Sequence, residues 1–201
     1  MAPQIDTVLA RLRALQDELE TAFETRRAAL KYRVEKGRVI FEEGVREAHR
    51  AARVRLWVFL RRTRLLVALT APVIYSLIIP FVLLDIFVSA YQAICFPVYR
   101  VPKVRRRDYI VIDRQQLGYL NGIQKLNCVY CGYGNGLLAY VTEVAARTEQ
   151  YWCPIKHARR VAGAHRHYPD FVDFGDAEAY LTRQEALRAA LRKHIPPSDD
   201  D

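Results

Sequence analysis

The stretch 65-LLVALTAPVIYSLIIPFVLLDIFVSAYQAICFPVY-99 carries a single charge, Asp85, in 35 residues. Its uncharged part, Leu65–Leu84, has 20 residues, enough to cross a hydrocarbon layer of about 30 Å. A buried helix of a soluble protein is rarely so apolar for so long, so residues 64–99 read as a membrane insert. As one straight helix the stretch would reach about 52 Å at ~1.5 Å per residue. Tilt alone would then have to exceed its usual range of about 0–40°. A break is expected, and Pro72, Pro80 and Pro97 are the candidates. A reversal at Pro80 gives the arms 65–79 and 81–99 of a re-entrant hairpin; without reversal the insert is a single span. Asp85 reads as an interfacial or bend residue capping the helix after it, because no partner stands near it in the apolar segment.

Working outward, both flanks are basic. Arg61, Arg62 and Arg64 precede the insert; Arg100, Lys103, Arg105, Arg106 and Arg107 follow it. Positive residues favour the cytoplasmic side, which a hairpin satisfies at both ends and a single span at only one. The chain of 201 residues has a formal net charge of +9. Because the excess flanks the apolar insert, it points to anionic lipid headgroups, at about 1 kcal/mol per residue near the surface. No aromatic interleaving or nucleic-acid motif accompanies it, so nucleic acid is not the expected partner. The start, MAPQIDTVLARLRALQDELE, lacks the apolar core of a secretory signal. Four cysteines are too few for a disulfide scaffold, so reduced thiols are expected.

Residues 1–63 read as an amphipathic arm, one long helix or two over 4–63. Ile5, Val8, Leu12, Leu15 and Leu19 recur at coiled-coil spacing. Arg26 shifts the register, and Val34, Phe41, Val45, Ala48 and Ala52 resume a similar stripe. Gly37 and Gly44 weaken the middle and mark a bend. A strip this long has little else in the chain to cover it. Self-association or a protein partner through residues 5–52 is therefore expected.

After a basic linker, 100–107, residues 108–195 read as a small α-rich module. The run 109-YIVI-112 is a short strand candidate. Asp113 and Gln116 suggest a capping box opening a helix to about Leu126. Leu137, Leu138, Val141, Val144 and Ala145 give a helical stripe to about Gln150. Asp176 caps a last helix over about 177–193, with Tyr180, Leu181, Leu187 and Leu191 on its apolar positions. The acidic end, 196–201, reads as a disordered tail.

The module's chemistry lies in 127-NCVYCGYGNG-136 and 151-YWCPIKHA-158. Cys128-x2-Cys131 and Cys153-x3-His157 each put two ligands on one side of a turn. Together they form the Cys₃His set of a structural zinc site. The chain must then double back over residues 148–152. Gly132, Gly134 and Gly136 are expected to supply turns around the ligands. The alternative is a thiol oxidoreductase or metalloenzyme using Cys128 and Cys131 at the start of a helix beginning near Asn135. Cys95, inside the insert, reads as an inert buried thiol. No Ser/His/Asp arrangement, paired carboxylates or cofactor fingerprint points to a particular reaction.

The run from Asn127 to Ala158 resembles a segment of uncharacterised bacterial membrane-associated proteins, over about residues 105–180. The resemblance implies a bacterial inner-membrane setting and no particular activity. The expectation is a mainly α protein with a coiled-coil-like N-terminal helix, a Pro-interrupted membrane insert and an α-rich Cys/His module with at most one or two short strands. Its function is expected to be that of a membrane-tethered zinc-binding adaptor or assembly factor, with the module on the cytoplasmic side.

Overall fold

A computed structural model describes residues 3–35 and 38–193. The described chain is mainly helical and divides into two compact units. One takes the described residues up to Arg62 together with Asp113–Lys125; the other takes Thr63–Ile112 and the described residues from Leu126 onward. The acidic end 196–201 lies outside the described residues.

In the first unit the expected long helix is interrupted. Helix α1 covers Pro3–Ala29, followed by strands β1 (Tyr32–Glu35) and β2 (Arg38–Phe41) and by helices α2 (Glu43–Ala51) and α3 (Leu56–Arg62). The strands pair antiparallel, Tyr32 with Phe41 and Glu35 with Arg38. The cause is local. Tyr32, Val34, Val39, Ile40 and Phe41 are β-branched or aromatic, which suits a pleated surface. Gly37, expected to mark a bend, lies outside the described residues. The stripe drawn through Val34, Phe41 and Val45 therefore crosses two strands and a helix. Phe41 packs edge-on against His49, with ring centroids 4.8 Å apart, and His49 against Tyr119 at 4.9 Å. On α1, Val8, Leu12, Leu15, Leu19 and Phe23 are all exposed.

The same unit shows why the capping box moves. Gln116 lies in a 3₁₀ turn, Arg114–Gln116, and its Oε1 accepts the Val39 N–H at 2.8 Å. The reciprocal cap forms instead at Asn121 and Gln124. The Gln124 N–H donates to Asn121 Oδ1 at 3.0 Å, and the Asn121 N–H to Gln124 Oε1 at 2.9 Å. Helix α6 follows as Gly122–Trp152.

In the second unit the apolar stretch forms α4 (Leu65–Ser76) and α5 (Ile78–Tyr99). Together they make a segment long and apolar enough to cross a membrane. Pro80 has no N–H to give the Ser76 carbonyl and crowds it, so the helix is interrupted four residues upstream of the proline. Only Leu77 separates the two helices, with φ −63° and ψ −14°. Antiparallel helices need about 2–5 connecting residues. The break is therefore a kink, and the re-entrant reversal at Pro80 is not formed. Pro72 and Pro97 stay inside α4 and α5.

Helices α5 and α6 run parallel. Phe81 meets Gly134, Tyr133 meets Asp85, Tyr140 meets Gln92, and Tyr99 stacks on Tyr151. The connecting segment returns between them in the opposite sense. Arg147 Nη1 donates to the Pro102 carbonyl at 2.7 Å, Gln92 takes Val104, and Tyr109 and Ile110 reach Gly136. Phe96, Val101, Val104, Leu137, Tyr140 and Val144 form the core of this sandwich. The strand expected at 109-YIVI-112 is irregular backbone there, with Tyr109 and Ile110 pressed on α6 at Gly136. Helix α7 (Ala177–Lys193) forms as expected, with the Ala179 N–H on Asp176 Oδ1 at 2.9 Å. It buries Leu187 and Leu191, while Leu181 is 80% exposed.

Candidate functional site

The two halves of the expected metal set sit on different parts of α6. Cys128 and Cys131 lie within its first third, one turn apart; Cys153 follows its last residue. No turn interrupts the helix between them. At ~1.5 Å per residue, Cys131 and Cys153 are separated by about 33 Å of helix. The chain does not double back over residues 148–152, and the structure does not bring the four residues together. Among the described residues, no group of three or more His, Cys, Asp or Glu side chains is arranged to hold a metal ion. His157 is exposed; its N–H donates to Tyr168 Oη at 2.7 Å, and its ring stacks on Tyr168. All four cysteines are free thiols, with Cys131 and Cys153 exposed and Cys95 half-buried.

The helix also changes the reading of Cys128 and Cys131 as a redox pair. Orphan amides favour a thiolate in the first turn of a helix. That turn begins at Gly122, six residues before Cys128, and no helix starts near Asn135. Asn135 instead lies inside α6 and donates its side-chain amide to the Cys131 carbonyl at 2.9 Å.

The glycines of 132-GYGNG-136 serve packing and are not turns. All three are buried within α6. A Cβ on Gly136 would lie 2.6 Å from the Tyr109 carbonyl oxygen and 2.8 Å from Ile110 Cα. A Cβ on Gly134 would stand 3.0 Å from Phe81 Cε2. The helix gives up side chains here so that the returning segment and α5 can lie against its backbone.

Two carboxylate clusters dominate the polar interior of this unit. Asp85, 8% exposed, lies in the middle of α5 and caps nothing. Arg106 holds it with two nitrogens, Nε at 3.0 and 3.1 Å and Nη2 at 2.6 Å, and Tyr133 Oη donates to it at 3.0 Å. The Ser89 hydroxyl adds a longer contact at 3.3 Å. The partner missing from the apolar segment is thus supplied by the basic linker. Two turns on from Asp85, Gln92 Oε1 accepts the Val104 N–H at 2.5 Å, and Gln92 Nε2 donates to Tyr140 Oη at 3.0 Å.

Glu143 forms the second cluster. Arg147 Nε donates to it at 2.8 Å, Arg166 Nη2 at 2.5 Å, and His167 Nε2 lies 3.1 Å away. Burial pushes this carboxyl up, but the hydrogen bonds from His167, Arg166 and Arg147 outweigh it and hold the group down at about 2. His165 Nε2 pairs with Glu149 at 2.9 Å. These contacts pin the segment carrying His165–His167 onto α6. Each carboxylate is engaged by arginine and further donors of its own unit. Both clusters fix chain segments.

Sequence reasoning missed both clusters. The available signal was Asp85 itself: a lone charge in an apolar helix needs a cation, and the nearest in sequence beyond the insert are those of 100–107. Comparison with protein-family models, curated proteins and solved structures finds no match to this chain.

Proposed function

We propose that this chain is a membrane-tethered adaptor or assembly factor without catalytic activity, held at the cytoplasmic face of a bacterial inner membrane. The observation that carries the reading is the exposed apolar surface of α4 and of the outer side of α5. Leu65, Leu69, Val73, Ile79, Leu83 and Phe87 are exposed, uncharged and uncovered by any described part of the protein. A patch of that extent marks a membrane or protein contact. The basic residues at both ends of the stretch favour an anionic membrane.

The second half of the reading rests on α1. Its exposed row Val8, Leu12, Leu15 and Leu19 suits a second helix, either from another copy or from a partner protein. The separation of the pairs along α6 argues against structural zinc on Cys128, Cys131, Cys153 and His157. The distance of the helix start from Cys128 argues against thiol redox chemistry there.

Flotation of the purified chain with vesicles containing phosphatidylglycerol tests the tether, and sedimentation equilibrium in mild detergent tests self-association. A chain that neither floats nor associates would defeat the proposal. Metal analysis is expected to find no bound zinc; about one zinc per chain, lost in Cys153→Ser, would show that the four residues do bind it.

A further inference from the structure

We infer that α4–α5 lies in the plane of one leaflet, with the outer face of α5 among the acyl chains and its inner face carrying the rest of the unit. This rests on the membrane reading above and specifies its geometry.

Four observations converge. First, α5 is two-sided along its whole length. Ile79, Leu83, Phe87, Ile94 and Val98 are exposed on one side, with Phe87 at 70% and Val98 at 74%. Asp85, Ser89, Gln92 and Phe96 face the returning segment and α6 on the other. A transmembrane orientation would require the returning segment to cross the bilayer beside α5. That segment carries Arg107, whose side chain is 74% exposed, and Asp108 at 40%, next to Arg106 on the mid-helix Asp85. Exposed charges at mid-bilayer depth are costly.

Second, the length fits. The stretch of about 52 Å at ~1.5 Å per residue is too long for a bilayer core of about 30 Å at ordinary tilt. It needs no break to lie flat. Third, the break that does occur is a one-residue kink at Leu77, which does not reverse the chain. Fourth, Arg64 at one end and Arg100 and Lys103 at the other are all exposed. In a flat orientation both basic ends meet anionic headgroups of the same leaflet, which a single span cannot achieve. The occupant of the apolar face is thus the acyl region of an anionic leaflet. A second copy of the chain would bring its own basic ends against these.

Depth measurement tests this. Nitroxides are placed on single cysteines at 79, 83, 87 and 94 of the full chain, with Cys95, Cys128, Cys131 and Cys153 replaced by Ala. Power-saturation EPR is read in phosphatidylcholine–phosphatidylglycerol vesicles. The expected result is one shallow depth, about 5–10 Å, at all four positions. A depth that rises to mid-bilayer and falls again along the helix overturns the flat orientation while leaving membrane attachment intact. Absence of immersion at every position overturns both. Spin–spin broadening without immersion places a second copy on the face and likewise overturns it. Should the cysteine-free chain lose its helical circular dichroism, the wild-type chain gives the same decision. Added to sealed vesicles and recovered by flotation, it is expected to be cut by trypsin at both Arg64 and Lys103. Protection of one flank alone overturns the inference.

Discussion

Helices α1 and α5 both leave apolar side chains uncovered, but in different ways. On α1 the exposed row is narrow, and charges such as Arg11, Arg13, Asp17 and Glu20 lie between its members. On α5 the exposed side is broad and carries no charge from Ile79 to Val98. A narrow row edged with charge suits another helix, whose own charges can interleave. A broad uncharged face suits hydrocarbon. The two helices also differ on their other sides. α5 has a polar inner face secured by Arg106, Tyr133 and Tyr140, and this fixes its rotation.

The largest expected effect separates the two exposed faces. Leu83→Arg combined with Phe87→Arg is expected to lower vesicle flotation by more than tenfold, since each change removes a large apolar side chain worth roughly 1.5–3 kcal/mol of burial. The same pair of changes at Leu12 and Leu15 is expected to leave flotation unchanged. Equal loss from both pairs would erase the distinction between the faces.

Next comes the inner packing that holds the unit together behind α5. Glu143→Gln leaves Arg147, only 5% exposed, without its anion. Denaturant unfolding in mild detergent is expected to show a loss of about 3 kcal/mol. Acid makes the same point without mutation. Because the folded value of Glu143, about 2, lies below its ordinary 4.5, its contribution is complete above pH 4.5. It is lost as pH falls from there toward 2, on the order of 3 kcal/mol in all. Wild type is therefore expected to lose its advantage over Glu143→Gln across that interval. A constant gap would show that the carboxylate is not held as described.

Gly136→Ala is expected to cost about 1–3 kcal/mol, because the added methyl meets the Tyr109 and Ile110 backbone. Gly44→Ala, with nothing within 4 Å of the new Cβ, is expected to be neutral or to stabilise by up to about 1 kcal/mol. Thermal melts compare the two. The smallest effect is expected from Leu12→Glu with Leu15→Glu, which should weaken self-association several-fold with little change in monomer stability. Unchanged sedimentation would remove α1 as the contact.

Much of the helical content was legible in the sequence. The apolar stretch, the stripe from Leu137 to Ala145 and the Asp176 cap all rest on local spacing, and spacing of that kind survives folding. The hairpin at Tyr32–Phe41 was masked because its residues also fall at helical intervals. Asp113 and Gln116 matched a capping box as well as Asn121 and Gln124 do; only Val39, distant in sequence, decided between them by engaging Gln116. The glycines misled for a related reason. A glycine for a turn and a glycine for close packing look identical until the neighbour is known, and Tyr109 reaches Gly136 from 27 residues away along a path that local patterns do not encode. The Cys/His spacing was compatible with a zinc site only if α6 ended early, and it continues for 31 residues.

The Asp85–Arg106 pair has a consequence in time as well as space. Arg106 follows Asp85 by 21 residues. At a synthesis rate of about 5–20 residues per second, the carboxylate exists for roughly 1–4 s before its guanidinium has been made. Asp85 emerges from the ribosome ahead of Arg106 by the same interval, a bare acid within an apolar helix and a poor candidate for immediate passage through hydrocarbon. Under the proposed membrane reading, closure of the returning segment over Asp85 before delivery avoids that exposure.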